Sequence, residues 1–228
     1  MIVMPIIYRS GAPLMSLFVI LTWLIGCKGN PEAHYALISK DTTNPRERAN
    51  TMFVFVGERM EVAVVPWEEG MLDTKVKARY KVIERVYGEY PDKVIDFVAY
   101  DHYGIPPFIK YKHVLMYLSR NDSGWYMEKY LYDPLFKTKD GRWAGPYSDD
   151  YGHPYNKATT IRPEKISFQE KVGFPTKFVD EDGKEVILSF PSPYYNRVGD
   201  SAFAVYGNYV IDLFRLKKEG VLKARELF

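Results

Sequence analysis

Between Thr74 and Val86 the chain alternates strictly. Val76, Ala78, Tyr80 and Val82 interleave with Lys75, Lys77, Arg79 and Lys81. A period of two over this length is a strand with one buried and one wet face, and no helix accommodates it. Four further runs flank it. Met52–Val56 is continuously apolar, Gly57 marks a bulge or bend, and Met60–Val65 resumes the strand until Pro66. Lys93–Tyr100 follows the turn Tyr90-Pro91-Asp92. Lys112–Ser119 is apolar on both faces at Val114–Leu118, which predicts a central strand. Asn121-Asp122-Ser123-Gly124 predicts a hairpin leading into the tyrosine-rich strand Trp125–Tyr132. Five strands with short connections predict a mainly β (α+β) protein built on a five-stranded antiparallel barrel, closed or half-closed.

In order, Phe53-Val54-Phe55-Val56-Gly57, Ala78-Arg79-Tyr80-Lys81-Val82, Val86-Tyr87-Gly88 and Val114–Leu118 resemble the strands of the OB-fold in TIMP/netrin-like modules. The resemblance spans Met52–Tyr132 and implies an OB-like barrel. The family's cysteines are absent, so its disulfide framework, its protease-inhibitory edge and its functional residues are not carried over.

The second half is richer in turns. Glu164–Val172 reads as a strand. Lys177–Asp180 and Glu185–Phe190 flank Glu181-Asp182-Gly183-Lys184 as a hairpin. Pro191–Arg197 reads as a loop rich in proline and tyrosine. Ala202–Leu216 fits both periods. Asn208 as a cap, the cations Arg215, Lys217 and Lys218 at the end, and Gly220 beyond favour a helix, with a second short helix over Val221–Leu227. The expected organisation is a barrel over 51–145 and a C-terminal hairpin and helix extension over 146–228.

Upstream, Met1–Gly26 holds one charge, Arg9, before an apolar core from Leu14 to Ile25. Twelve residues fall short of the roughly twenty that cross a bilayer as a helix. A cationic start, a short apolar stretch and a small closing residue are the layout of a cleaved secretory signal. Leu24-Ile25-Gly26-Cys27 resembles the lipobox of bacterial lipoproteins. That resemblance implies cleavage before Cys27 and acylation of it, with the lipid bilayer as a partner and two or three acyl chains holding the chain permanently. Lys28, where aspartate retains Gram-negative members at the inner membrane, implies the periplasmic face of the outer membrane. The polar stretch 27–50 reads as a tether.

Removal of the signal takes away only Arg9, so the net charge falls from +2 to +1. Such a chain has no global field to steer it to nucleic acid, and no nucleic-acid partner is expected. With the only cysteine lipidated, no thiol remains for disulfides, metal or nucleophilic catalysis. No hydrolase elbow, zinc-binding helix motif or phosphate-binding glycine loop is present, and nothing asks for a cofactor.

Two segments concentrate chemistry. Tyr100–Phe108 carries Asp101, His102 and Tyr103, either as ligand contacts or as a turn with Asp101 bonding backbone amides. Trp143–Tyr155 carries Trp143, Tyr147, Tyr151, Tyr155, Asp149, Asp150 and His153, aromatics beside acids that can stack on a sugar or peptide and bond its polar groups. The leading expectation is a non-enzymatic envelope lipoprotein that binds a protein, peptide or glycan through Asp101, His102, Tyr103, Trp143, Tyr147, Tyr151 and His153. Against it stand an envelope hydrolase, with His102 or His153 as base and Asp101 or Asp150 as helper, and a purely structural envelope component.

Overall fold

A computed structural model describes residues 51–180 and 183–228; the signal, Cys27, the tether, Glu181 and Asp182 lie outside the described residues. Alternation sets the architecture from the first strand. β1 (Met52–Val64), β2 (Thr74–Tyr87), β3 (Val94–Asp101), β4 (His113–Asn121) and β5 (Gly124–Pro134) close into a barrel ordered β1-β2-β3-β5-β4. The fold is mainly β, with a closed five-stranded barrel of mixed pairing. Four of its five pairings are antiparallel and one, β3 with β5, is parallel. An all-antiparallel ring was expected, but a ring with an odd number of strands cannot alternate direction throughout. One parallel seam is a matter of parity.

The two faces of β1 and β4 explain their unbroken apolar runs. Phe53 and Phe55 on β1, with Val114, Met116 and Leu118 on β4, fill the barrel beside Tyr80, Ile95, Phe97 and Phe108. Met52, Val54, Val56, Leu115 and Tyr117 point outward into a second core. Each fully buried side chain of this size stabilises the fold by about 1.5–3 kcal/mol over its exposed state. Gly57 sits at a register shift between β1 and β2. A Cβ there would lie 2.8 Å from Phe55 and 2.9 Å from Tyr80, so the interior rings require glycine.

The C-terminal segment adds β6 (Phe136–Lys137), β7 (Trp143–Pro146), β8 (Glu164–Lys165), β9 (Gly173–Pro175), β10 (Lys177–Val179), β11 (Glu185–Ile187), β12 (Tyr195–Val198), β13 (Ser201–Ala204) and β14 (Tyr206–Tyr209). They form a sheet β6-β7-β14-β8, a sheet β12-β13-β9 and the hairpin β10–β11. The hairpin matches the expected pair of strands. The strand expected over 164–172 is two residues long; Ile166, Phe168 and Val172 beyond it are core residues of the third cluster instead.

Helix α1 (Val210–Lys217) is shorter than the helix expected over 202–216. Ser201–Tyr209 follows period two, because β13 bonds β12 and β9 while β14 bonds β7 and β8. Asn208 is buried in β14, and the N-cap is Tyr209, with no side-chain cap. From Val210 the apolar positions Val210, Leu213 and Phe214 repeat at three and four residues and cover the outward face of β1 and β4. The chain then widens into a π-helical turn, Lys218–Leu222. All described residues belong to one compact unit.

Candidate functional site

The end of β5, the residues after β7, and the end of α1 converge on one cleft. Its walls are aromatic: Tyr111, Tyr132, Tyr147, Phe174, Phe190 and Tyr195. Its floor is charged, with Asp133 from β5, Asp150 from the 3-10 turn Asp149–Gly152, and Lys217 from α1. Topology places these groups together. Asp133 precedes Pro134, where β5 leaves the barrel, Ser148 caps the turn that carries Asp150, and Lys217 falls one turn beyond Leu213 on the helix's buried stripe.

Lys217 Nζ bonds Asp150 Oδ2 and lies 3.6 Å from Asp133 Oδ1. The Tyr117 hydroxyl donates to Asp133 Oδ2 at 2.9 Å, and Ser148 Oγ donates to Asp150 Oδ2 at 2.7 Å. Asn156 Nδ2 donates to the Asp150 carbonyl at 2.7 Å and holds the turn. The side chains of Lys217 and Asp133 are buried, while that of Asp150 is 19% exposed. Ionised, this floor carries one net negative charge.

The two carboxyls diverge. Burial raises the pKa of Asp133, and the nearby Asp150 charge adds to this against the pull of Lys217. Burial would raise Asp150 as well, but the charge and hydrogen bond of Lys217 and the Ser148 hydroxyl together hold it below the usual carboxylate range. Lys217 is pulled down by burial, yet Asp133 and Asp150 prevail and hold it above its ordinary value. Burial also pushes the Tyr132 phenol well up. Tyr132 is 3% exposed, and its hydroxyl makes no hydrogen bond among the described residues.

Residues expected at Trp143–Tyr155 separate. Tyr147 lines the cleft, its ring 3.8 Å from Tyr194 and 5.5 Å from Tyr151, both stacked. The Tyr151 hydroxyl bonds Asn208 Oδ1, and Asn208 Nδ2 donates to Arg162 O at 2.9 Å. Trp143 faces the second core, against His113 and Lys137. His153 Nδ1 accepts from Tyr155 N beside the exposed Tyr155 ring, and its own backbone N–H donates to the Asp150 carbonyl at 3.1 Å. The Asp149 side chain lies outside what the structure describes.

At Tyr100–Phe108, Asp101 is buried and its Oδ1 accepts from Tyr103 N at 2.8 Å, an Asx turn. His102 turns to Asp73 and the Leu72 carbonyl, each 3.2 Å from Nδ1, and Lys129 also bonds Asp73, at 2.7 Å. Tyr103 is 86% exposed. These groups lie outside the cleft, and the cleft contains no histidine.

Sequence reasoning passed over Lys217, Asp133 and Tyr132. One signal for Lys217 was present: a lysine continuing the stripe Val210, Leu213, Phe214 is a charge on the buried face. Asp133 and Tyr132 gave none, because their partners come from distant segments. Compared with known protein families, curated proteins and solved structures, the chain matches none.

Proposed function

We propose that this chain is a lipoprotein of the bacterial cell envelope, anchored through acylated Cys27, that acts as a non-enzymatic binding module for a protein, peptide or glycan segment. One observation carries the binding reading: an aromatic-walled cleft with a buried, hydrogen-bonded charge cluster at its floor. Aromatic walls supply stacking area at low entropic cost, and a few fixed polar groups supply orientation, which is the general build of a ligand site. The lipobox Leu24-Ile25-Gly26-Cys27 supports the anchor. Among the described residues no helix is long and apolar enough to cross a membrane.

The test uses the full chain in detergent as bait for solubilised envelope peptides and glycans, beside Tyr147→Ala. A ligand held by wild type and lost by the variant supports the cleft. Equal retention by both, or no ligand at all, overturns it. Mass spectrometry of the cell-derived protein checks the anchor: an acylated N-terminal Cys27, lost in Cys27→Ser, is expected, and an intact Met1 would refute it.

A further inference from the structure

The second half of β1 is bonded on one side only. β4 pairs with β1 from Met52 to Glu58, and the Arg59 N–H closes that contact on Lys112 O at 2.8 Å. β2 continues alongside, through Glu61↔Arg79, Val62↔Ala78, Ala63↔Lys77 and Val64↔Val76. The Val65 N–H bonds Lys75 O at 2.8 Å, so Val65, Ala63 and Glu61 are the positions that exchange bonds with β2. The N–H and C=O of Val62 and Val64 therefore point away from β2, and no strand meets them among the described residues.

We propose that this open edge takes up an extended segment of a partner polypeptide as an added strand, at a site apart from the cleft. Its outward donors and acceptors recur at every second residue, roughly 6.4–6.8 Å apart, which is the repeat of an extended peptide. Neither a sugar nor a bilayer surface presents that ladder. Exposed edges are ordinarily blunted by lysine, proline or a cover. From Met60 to Val65 this edge carries one charge, Glu61, which lies 3.9 Å from Arg79 on the neighbouring strand. Lys75, Lys77 and Lys81 sit instead on β2, which is paired on both sides. The side chains specify the partner further. Val62 and Val64 continue the apolar face of Ala78 and Val76, whereas Glu61 and Ala63 lie on the face of Arg79 and Lys77. Met60, Val64 and Trp67, 56%, 45% and 68% exposed, offer apolar surface beside the edge. The segment that fits alternates apolar and polar residues.

The probe is the peptide acetyl-Lys-Thr-Val-Thr-Val-Thr-Lys-amide, titrated into the isotope-labelled full chain in detergent. Its control is a copy N-methylated at each Thr and Val, which keeps the side chains and removes the donors. The Val62 and Val64 amide resonances are expected to shift and their hydrogen exchange to slow, with the methylated copy binding about tenfold more weakly. Val64→Pro removes an outward N–H and no bond to β2, so it should weaken binding about tenfold. Val64→Ala keeps that N–H and should weaken it less. Dispersion of each spectrum checks folding. Equal binding of the two peptides, or equal binding by Val64→Pro and wild type, overturns the added strand. Shifts confined to Tyr147 and Ser148 overturn the edge and leave the cleft as the site, and no shift at all overturns the edge outright. Protection of Val62 and Val64 that grows with protein concentration alone, or appears on adding phosphatidylglycerol vesicles, makes a second copy or a lipid surface the occupant and overturns the proposal as well.

Discussion

Lys217 ends α1 with its ammonium on the carboxylate of Asp150, 67 positions earlier in the chain. The bond ties the helix that covers the outward face of β1 and β4 to the turn that builds the cleft. Removing the cation leaves two buried carboxylates uncompensated. Lys217→Met should therefore lower the unfolding free energy by about 3–5 kcal/mol, read from urea denaturation. Adding Asp133→Asn and Asp150→Asn to it should recover a large part of the loss. No recovery in the triple variant would show that packing, and not charge, set the cost.

Asp133 and Asp150 oppose one another as the pH falls. The folded value of Asp150 is depressed, so its stabilisation is present above the unfolded value of about 3.9 and lost as pH falls through the folded value. The folded value of Asp133 is raised, so its contribution is full below about 3.9 and lost as pH rises through the folded value. Lys217 from α1, Tyr117 from β4 and Ser148 from the capped turn face the pair, and neither Lys217 nor Tyr117 titrates in this window. Carbon-detected titration should place Asp133 above and Asp150 below the ordinary carboxylate range. Asp133→Asn should steepen the acid loss of stability, since the offsetting proton uptake is gone.

Gly57→Ala places a methyl 2.8 Å from the Phe55 ring and 2.9 Å from that of Tyr80, both fully buried. Neither ring sits at a flexible end, so the strand must shift. The expected cost is about 1–3 kcal/mol, seen as a lower urea midpoint with an unchanged slope. An unchanged midpoint would mean that the register shift absorbs the methyl.

The barrel was legible because local alternation and local turns specify it. Val76, Ala78, Tyr80 and Val82 point inward by period alone, and the Asn121–Gly124 hairpin needs only its own residues. Even the two-faced run Val114–Leu118 announced its double burial. The parallel β3–β5 seam follows from closing five strands, a property of the whole ring that no single segment carries. Ser201–Tyr209 misled because Phe203, Val205 and Tyr209 fit period two while Tyr206 and Val210 fit a helix, and partners far back in the chain, Phe174 and Ala144 among them, decide in favour of strand. The cleft was half legible. Tyr147 and Asp150 stood in a conspicuous aromatic and acidic segment. Lys217 looked like an ordinary cation at a helix end, and only the fold turns it inward.

Tyr151 and His102, both prominent in the sequence, should separate in stability. The Tyr151 hydroxyl satisfies the buried Asn208 carboxamide, so Tyr151→Phe leaves that oxygen without its donor. A loss of about 1–3 kcal/mol is expected in denaturant unfolding. His102 is largely exposed, and its contacts to Asp73 and Leu72 lie at the surface. His102→Ala should stay within about 0.5 kcal/mol of wild type. Equal losses in the two variants would contradict these environments.

Tyr132 and Tyr80 offer a paired comparison. Each hydroxyl is buried and without a hydrogen-bond partner among the described residues, yet only Tyr132 lines the cleft. Tyr80 fills the barrel between Phe97 and Phe108. Deleting an unpartnered buried hydroxyl removes a desolvation cost and keeps the ring, so Tyr80→Phe and Tyr132→Phe should each leave stability unchanged or raise it by up to about 1–2 kcal/mol. Thermal unfolding, run on both variants, checks the pair. If Tyr132→Phe lost stability, its hydroxyl would have a partner in the folded protein.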